Sequence, residues 1–177
     1  MKEQFINAIY ILIINITIIT ILTLINSKLT IWGLFLYLPG ILFFSACKFL
    51  DFTNGMIISG ISGFAIDNIL ETPFGYHGIL LPLFFIIGKN WLESTVNNKP
   101  WRPVIFQLLV NIILYSIWFL WLKLDKSLTM NWPVSRFFID LIISSLLIIP
   151  LSFWIYDLTK IFVYTQKKEN IIEERML

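Results

Sequence analysis

The chain has 177 residues, of which 58% are hydrophobic and only 14% are charged, whereas soluble domains carry charges at about 25% of their positions. This composition excludes a water-soluble globular protein and predicts a polytopic integral membrane protein. The formal net charge of +2 is too small and too dispersed to form a nucleic-acid-binding surface. The single cysteine, Cys47, excludes an intramolecular disulfide.

Six apolar runs follow one another along the chain, and we predict that each is a transmembrane helix in one compact all-α bundle, a single domain over residues 1–177. A helix is the expected form because an open strand leaves backbone groups unpaired in a bilayer. The first run is expected to be a retained span, since it is longer than the apolar region of a signal peptide. The third and fourth runs are short, which leaves five full crossings as an alternative. The predicted spans are approximately residues 5–26, 29–47, 55–71, 77–92, 103–122 and 136–164.

The distribution of basic residues predicts that both termini are cytoplasmic. With six crossings, nine of the 13 basic residues lie inside, and four lie outside, namely Lys28, Lys123, Lys126 and Arg136. Positive charge is concentrated in cytoplasmic loops of membrane proteins, so this distribution favours the N-in and C-in orientation. Five crossings would place the basic C-terminal tail outside.

The third run and the turn after it, residues 55–78, are the most informative part of the chain. Residues spaced by four lie on one face of a helix, and here they are Gly55, Ser59, Gly63 and Asp67, with Glu71 one step further. Small residues at this spacing allow another helix backbone to approach closely. We therefore predict a packing face that receives the transmembrane helix of a partner, with an acid at its end.

The turn after this face is predicted from two residues. Pro73 disfavours helix at the residue before it and Gly75 permits a positive φ, so the chain is expected to turn before His77. A carboxylate within a membrane costs about 2.5–3.5 kcal/mol and needs a partner. Asp67, Glu71 and His77 could form a carboxylate–imidazole cluster, but we favour a structural role, with Asp67 bonded to backbone groups of the turn or to another helix.

Catalytic chemistry is not indicated elsewhere. A single histidine cannot build a multi-histidine metal site, and no nucleophile or phosphate-binding motif occurs, so we predict no catalytic residues, no metal and no cofactor. In the last span, Arg136 and Asp140 are i,i+4 neighbours and are expected to form an ion pair, and Pro150 is the expected kink point. Polar residues within other spans are expected to form hydrogen bonds between helices, namely Asn7, Asn15 and Asn111.

The segment Gly63-Phe64-Ala65-Ile66-Asp67, followed by Pro73-Phe74-Gly75-Tyr76-His77-Gly78-Ile79-Leu80, resembles the MreD family of rod-shape-determining proteins. Members of that family resemble one another in a sequence pattern. The pattern consists of G-x-x-x-D, then a short spacer, then P-L-G, and then leucines. The chain departs from the pattern at Glu71 and Thr72, where small residues are usual, and at Phe74, where leucine is usual. Outside this motif the likeness rests on size and hydropathy.

This resemblance implies a non-enzymatic scaffold, multi-pass in the bacterial inner membrane, within the complex that synthesises peptidoglycan during cell elongation. The implied direct partner is the bitopic protein MreC, which would bind the small-residue face. The implied indirect partners are the cell-wall transglycosylase and transpeptidase and the filament protein MreB. Apart from these proteins we expect only membrane lipids, and no nucleic acid.

By the same analogy, the fold is expected to be similar to the substrate-binding membrane subunits of energy-coupling-factor transporters, which is a statement about fold alone. A vitamin-binding subunit of that transporter type is the alternative function. Such subunits resemble one another in an A-x-x-x-A docking pattern in the first span, whereas this first span has a single alanine, Ala8.

Overall fold

The structure, a computed structural model, describes residues 2–70, 72–93, 101–124 and 133–176. These residues form helices, 3₁₀ turns and connecting segments with no strand, which confirms the all-α prediction for the described part of the chain. The helices are α1 (Lys2–Leu29), α2 (Phe44–Phe49), α3 (Phe52–Leu70), α4 (Tyr76–Glu93), α5 (Trp101–Leu124) and α6 (Val134–Met176). Among them, three stretches are long and apolar enough to cross a membrane, namely Glu3–Trp32, Trp101–Leu124 and Val134–Thr165.

The outward faces of the long helices are apolar. On α1, Phe5, Ile9 and Ile13 are exposed at steps of four residues, and on α6 Phe138 and Ile142 are exposed in the same way. The buried polar side chains of these helices, such as Asn15 and Ser144, face the rest of the protein, which is the arrangement that a helix needs when lipid surrounds the protein. The surface therefore agrees with an all-α membrane protein.

Helices α1 and α3 lie side by side and run parallel. Asn15 Nδ2 donates to Ser62 Oγ at 2.8 Å, and the backbone N–H of Asp51 donates to Gln4 Oε1 at 3.3 Å, so that both contacts join residues 47 apart in sequence. Two parallel helices that follow one another need a return path between them. Residues 30–49 provide that path and run back along α1.

The structure differs from the predicted second helix over residues 29–47, which are not one continuous helix. A 3₁₀ turn at Thr30–Trp32 is followed by residues 33–38, which we call the non-helical segment, then by a second 3₁₀ turn at Pro39–Ile41 and by the short helix α2. Gly33 adopts a φ of 69°, a left-handed conformation that ends the first turn. Pro39 removes a backbone donor and disfavours helix before it.

The last helix, α6, is the longest and continues through Pro150, the predicted kink point. Its 43 residues correspond to a length of about 65 Å at the rise of an α-helix, against a hydrocarbon thickness of about 30 Å. The helix is therefore longer than a bilayer requires. The ion pair predicted on this helix is also present, with Arg136 Nε 3.7 Å from Asp140 Oδ2.

Candidate functional site

The carboxylate of Asp67, near the end of α3, lies against the first turn of α4. Oδ1 accepts a hydrogen bond from the backbone N–H of His77 at 2.8 Å, and Oδ2 accepts one from Gly78 at 3.0 Å. Amides in the first turn of a helix have no partner within that helix, and the positive end of the helix dipole favours a carboxylate there. Asp67 therefore caps α4 from the neighbouring helix.

Two side chains complete the surroundings of this carboxylate. Thr72 Oγ1 donates to Oδ1 at 2.7 Å, and His77 Nδ1 lies 2.7 Å from the same oxygen. Asp67 is 2% exposed and His77 is fully buried. Four donors thus converge on a buried carboxylate, and this number of hydrogen bonds offsets the cost of placing an acid in an apolar protein. The predicted bonding of Asp67 to backbone groups of the turn is confirmed.

The turn itself has the predicted form. The N–H of Tyr76 donates to the carbonyl of Pro73 at 3.0 Å, and Gly75 has a φ of 87°, the left-handed conformation that the sequence predicted. Phe74, which lies between Pro73 and Gly75, is 91% exposed. Glu71, the further acid of the predicted cluster, lies outside the described residues.

The small-residue face of α3 is filled by α4. A Cβ atom placed on Gly63 would overlap the backbone of His77, and one placed on Gly55 would overlap the ring of Phe85. Ser59, between them, is fully buried. The prediction of a close packing face is confirmed, but the helix that occupies it belongs to the same chain. The prediction that a partner's helix binds this face requires correction, because α4 leaves no room for one.

His77 also connects this motif to the non-helical segment. Its Nε2 lies 2.5 Å from the hydroxyl oxygen of Tyr37, a residue that is 1% exposed. Next to His77, the hydroxyl of Tyr76 donates to the carbonyl of Leu114 on α5 at 2.6 Å. The motif that the sequence placed in the third span therefore joins α3, α4, α5 and the non-helical segment.

Side chains from three helices take the place of backbone partners along the non-helical segment. Backbone polar groups within an apolar protein must be paired, and here the partners come from α1, α5 and α6. The contacts are Phe35 N to Asp140 Oδ1 at 2.9 Å, Leu36 N to Asn26 Oδ1 at 2.8 Å, Asn26 Nδ2 to Leu36 O at 2.9 Å, Tyr37 N to Ser144 Oγ at 2.9 Å and Asn111 Nδ2 to Tyr37 O at 2.8 Å.

The sequence pattern does not indicate this second part of the site. Asn111 was expected to bond to another helix, but its side chain bonds instead to Tyr37 of the non-helical segment and to Gly40 of the second 3₁₀ turn. Tyr37, Asn26 and Ser144 were not singled out. The available signal was the pair Pro39-Gly40 within an apolar run, since this dipeptide interrupts helices.

Asp67, His77 and Tyr37 place a carboxylate, an imidazole and a hydroxyl in a row. Enzymes use the same order of groups to activate a nucleophilic hydroxyl. All three side chains are buried, so a substrate cannot reach the hydroxyl of Tyr37 in this conformation. Within the described ranges, no group of three His, Cys, Asp or Glu residues could hold a metal ion. The arrangement can fix hydrogen-bond directions and hold helices together.

A small cavity lies beside the site, between α1, α3 and the non-helical segment. Its volume is about 20 Å³, and Ile19, Asn26, Tyr37 and Ile66 are among the residues that line it. This space is sufficient for about one water molecule.

No protein-family model, no curated protein and no solved structure matches this chain. The likeness to the MreD family therefore rests on the motif and on size and hydropathy.

Proposed function

We propose that this protein is a non-enzymatic scaffold of the bacterial cell-elongation complex, multi-pass in the inner membrane, as its resemblance to the MreD family implies. One observation carries the proposal. The carboxylate of Asp67, which an enzyme or a transporter would present to a substrate, is instead used for four hydrogen bonds within the chain. The motif thus holds the helices of this chain together, and the outer faces of the helices remain available to bind other membrane proteins.

The partner, a bitopic protein of the MreC type, docks on one of the apolar outer faces. The small-residue face of α3 is not available, since α4 fills it. Ile9 on α1, Ile113 on α5 and Ile142 on α6 are each more than 40% exposed and represent the three candidate faces. Through this partner the scaffold is connected to the cell-wall transglycosylase and transpeptidase and to MreB.

We also propose six crossings with both termini in the cytoplasm. The parallel arrangement of α1 and α3 supports a crossing between them, made by the non-helical segment and α2. Six crossings place nine of the 13 basic residues inside, in agreement with the positive-inside rule.

The experiment that tests this function is purification of the tagged protein from its own membranes in mild detergent, with cross-linking and mass spectrometry. A photoreactive amino acid is placed at Ile9, Ile113 or Ile142 in turn, and at the fully buried Phe85 as the matched control. The proposal expects one of the three exposed positions, and not Phe85, to cross-link to a single-span periplasmic protein that co-purifies with cell-wall synthases. Failure to recover any cell-wall protein would contradict it.

The alternative is a substrate-binding subunit of an energy-coupling-factor transporter, and one feature favours it. Interrupted membrane-crossing segments often surround the binding sites of transporters, and the non-helical segment is such an interruption. Against it, the adjoining cavity of about 20 Å³ is too small for a vitamin, and Ala8 is the single alanine of the first span. Recovery of ATPase subunits in the same purification would support this alternative.

A further inference from the structure

We propose that Asp67 fixes the tautomer of His77 and thereby holds Tyr37 in place, so that the α3–α4 turn determines the conformation of the non-helical segment. Tyr37 and His77 are 40 residues apart in sequence. The proposal rests on the geometry of these side chains and does not depend on the proposed function.

The hydrogen-bond directions follow from the donor and acceptor capacities of the groups. An ionised carboxylate can only accept, so His77 Nδ1, which lies 2.7 Å from Asp67 Oδ1, must carry the proton. In a neutral imidazole the other nitrogen is then an acceptor. The hydroxyl of Tyr37 therefore donates to Nε2, across 2.5 Å. The opposite tautomer would place a nitrogen lone pair against the carboxylate oxygen.

Tyr37 connects the tautomer of His77 to the rest of the molecule. Its backbone N–H donates to Ser144 of α6 and its carbonyl accepts from Asn111 of α5. Its ring lies 4.7 Å from that of Tyr115 and 5.6 Å from that of Trp118, between ring centroids. The hydroxyl adds the bond to α4, which ties the non-helical segment to the pair formed by α3 and α4. Asp67 acts on the segment through His77 and is a positioning residue.

Two variants test separately the effect of Asp67 on the ring of His77 and the effect of Tyr37 on the non-helical segment. In Asp67→Leu, no acceptor faces Nδ1, so the form of His77 that is protonated at Nε2 becomes populated, and in that form the ring no longer accepts from Tyr37. In Tyr37→Phe, the bond to the segment is lost while Asp67 still fixes the tautomer. The first variant therefore changes both the ring and the segment, and the second changes the segment alone.

The tautomer can be measured directly because His77 is the single histidine of the chain. Protein labelled with ¹⁵N-histidine, purified through a tag without histidine and placed in lipid nanodiscs, gives one pair of ring-nitrogen NMR signals. The expected result is a neutral ring protonated at Nδ1 in the wild type and in Tyr37→Phe, and a ring with a population protonated at Nε2 in Asp67→Leu. A wild-type ring that is doubly protonated or protonated at Nε2 would overturn the proposal, and so would a ring in Asp67→Leu that remains wholly protonated at Nδ1.

The effect on the non-helical segment is measured by hydrogen exchange of the amides of residues 35–37. Loss of one buried hydrogen bond is expected to raise their exchange rate about tenfold in Tyr37→Phe, and Asp67→Leu is expected to raise it to a smaller extent because the ring of His77 is no longer fixed. Tyr156→Phe, which removes a hydroxyl from a partly buried tyrosine of α6 packed against Phe49, is the matched control and leaves these rates unchanged. Because Tyr37→Phe keeps the ring and its packing, it serves as the test if Asp67→Leu does not fold. Unchanged exchange in Tyr37→Phe would show that the hydroxyl does not hold the segment.

Discussion

Asn26 forms with Leu36 the two hydrogen bonds that a neighbouring strand would form. Its side-chain amide donates to the carbonyl of Leu36 at 2.9 Å, and its side-chain oxygen accepts from the N–H of Leu36 at 2.8 Å. Asn26 is 8% exposed and Leu36 is equally buried. One side chain thus satisfies both backbone groups of a residue that belongs to no helix, which is how a non-helical backbone is tolerated within an apolar protein.

The first prediction is that Asn26→Leu destabilises the protein strongly. The substitution conserves size but leaves the N–H and the carbonyl of Leu36 unpaired, at about 1–3 kcal/mol for each group. We expect a lower free energy of unfolding in mixed detergent micelles and faster hydrogen exchange over residues 33–38. Asn68→Leu on the exposed face of α3 is the matched control and should leave both unchanged. Equal stability of the two variants would contradict the role given to Asn26.

Hydropathy predicted the long helices well but not the path between α1 and α3. The bounds of five predicted runs agree with those of α1, α3, α4, α5 and α6 to within a few residues at most of their ends, because a long apolar run pairs its own backbone groups when it forms a helix. Residues 29–47 are also apolar enough and long enough to be predicted as a membrane-spanning helix. Their backbone is paired instead by side chains from distant parts of the chain, and hydropathy contains no information on such pairs.

The candidate site was likewise predictable only in its local part. Asp67, Pro73, Gly75 and His77 lie within one hairpin, so their proximity followed from the turn that the sequence predicts. Tyr37 joins the same cluster from 40 residues away, and this contact depends on the packing of the whole bundle. The occupant of the small-residue face was predicted wrongly for a related reason. The residue pattern indicates that a backbone approaches closely, but not whether that backbone belongs to the same chain.

The second prediction compares two glycines of α3. A Cβ at Gly63 would overlap the backbone of His77, whereas one at Gly60 would meet Pro82 at 3.5 Å, an ordinary contact. Alanine favours a helix over glycine by about 1 kcal/mol, while overpacking costs about 1–3 kcal/mol. Gly63→Ala should therefore lower the unfolding free energy and Gly60→Ala should leave it equal or raise it. Equal effects in a detergent unfolding titration would show that α4 does not lie on this face.

The third prediction concerns Asp140, a fully buried acid that accepts hydrogen bonds from Phe35 N and from the hydroxyl of Tyr115. Asp140→Asn keeps an acceptor oxygen and loses the charge opposite Arg136, whose side chain is 26% exposed and can be hydrated. Asp140→Leu leaves two donors unpaired, at about 1–3 kcal/mol each. The leucine variant should therefore unfold at a lower denaturant concentration than the asparagine variant. The reverse order would mean that the ion pair, and not the hydrogen bonds, determines the contribution of Asp140.

The last prediction tests whether residues 29–47 cross the membrane without forming a continuous helix. Lys28 and Lys48 are both exposed and flank this part of the chain. In a Cys47→Ala background, which removes the single cysteine of the chain, Lys28→Cys and Lys48→Cys each present one thiol to a membrane-impermeant maleimide. Because the proposed orientation has the N-terminus inside, Lys28→Cys should react in right-side-out vesicles and Lys48→Cys in inverted vesicles. The opposite pattern would reverse the orientation, and labelling of both positions from the same side would show that the non-helical segment and α2 turn back before they cross.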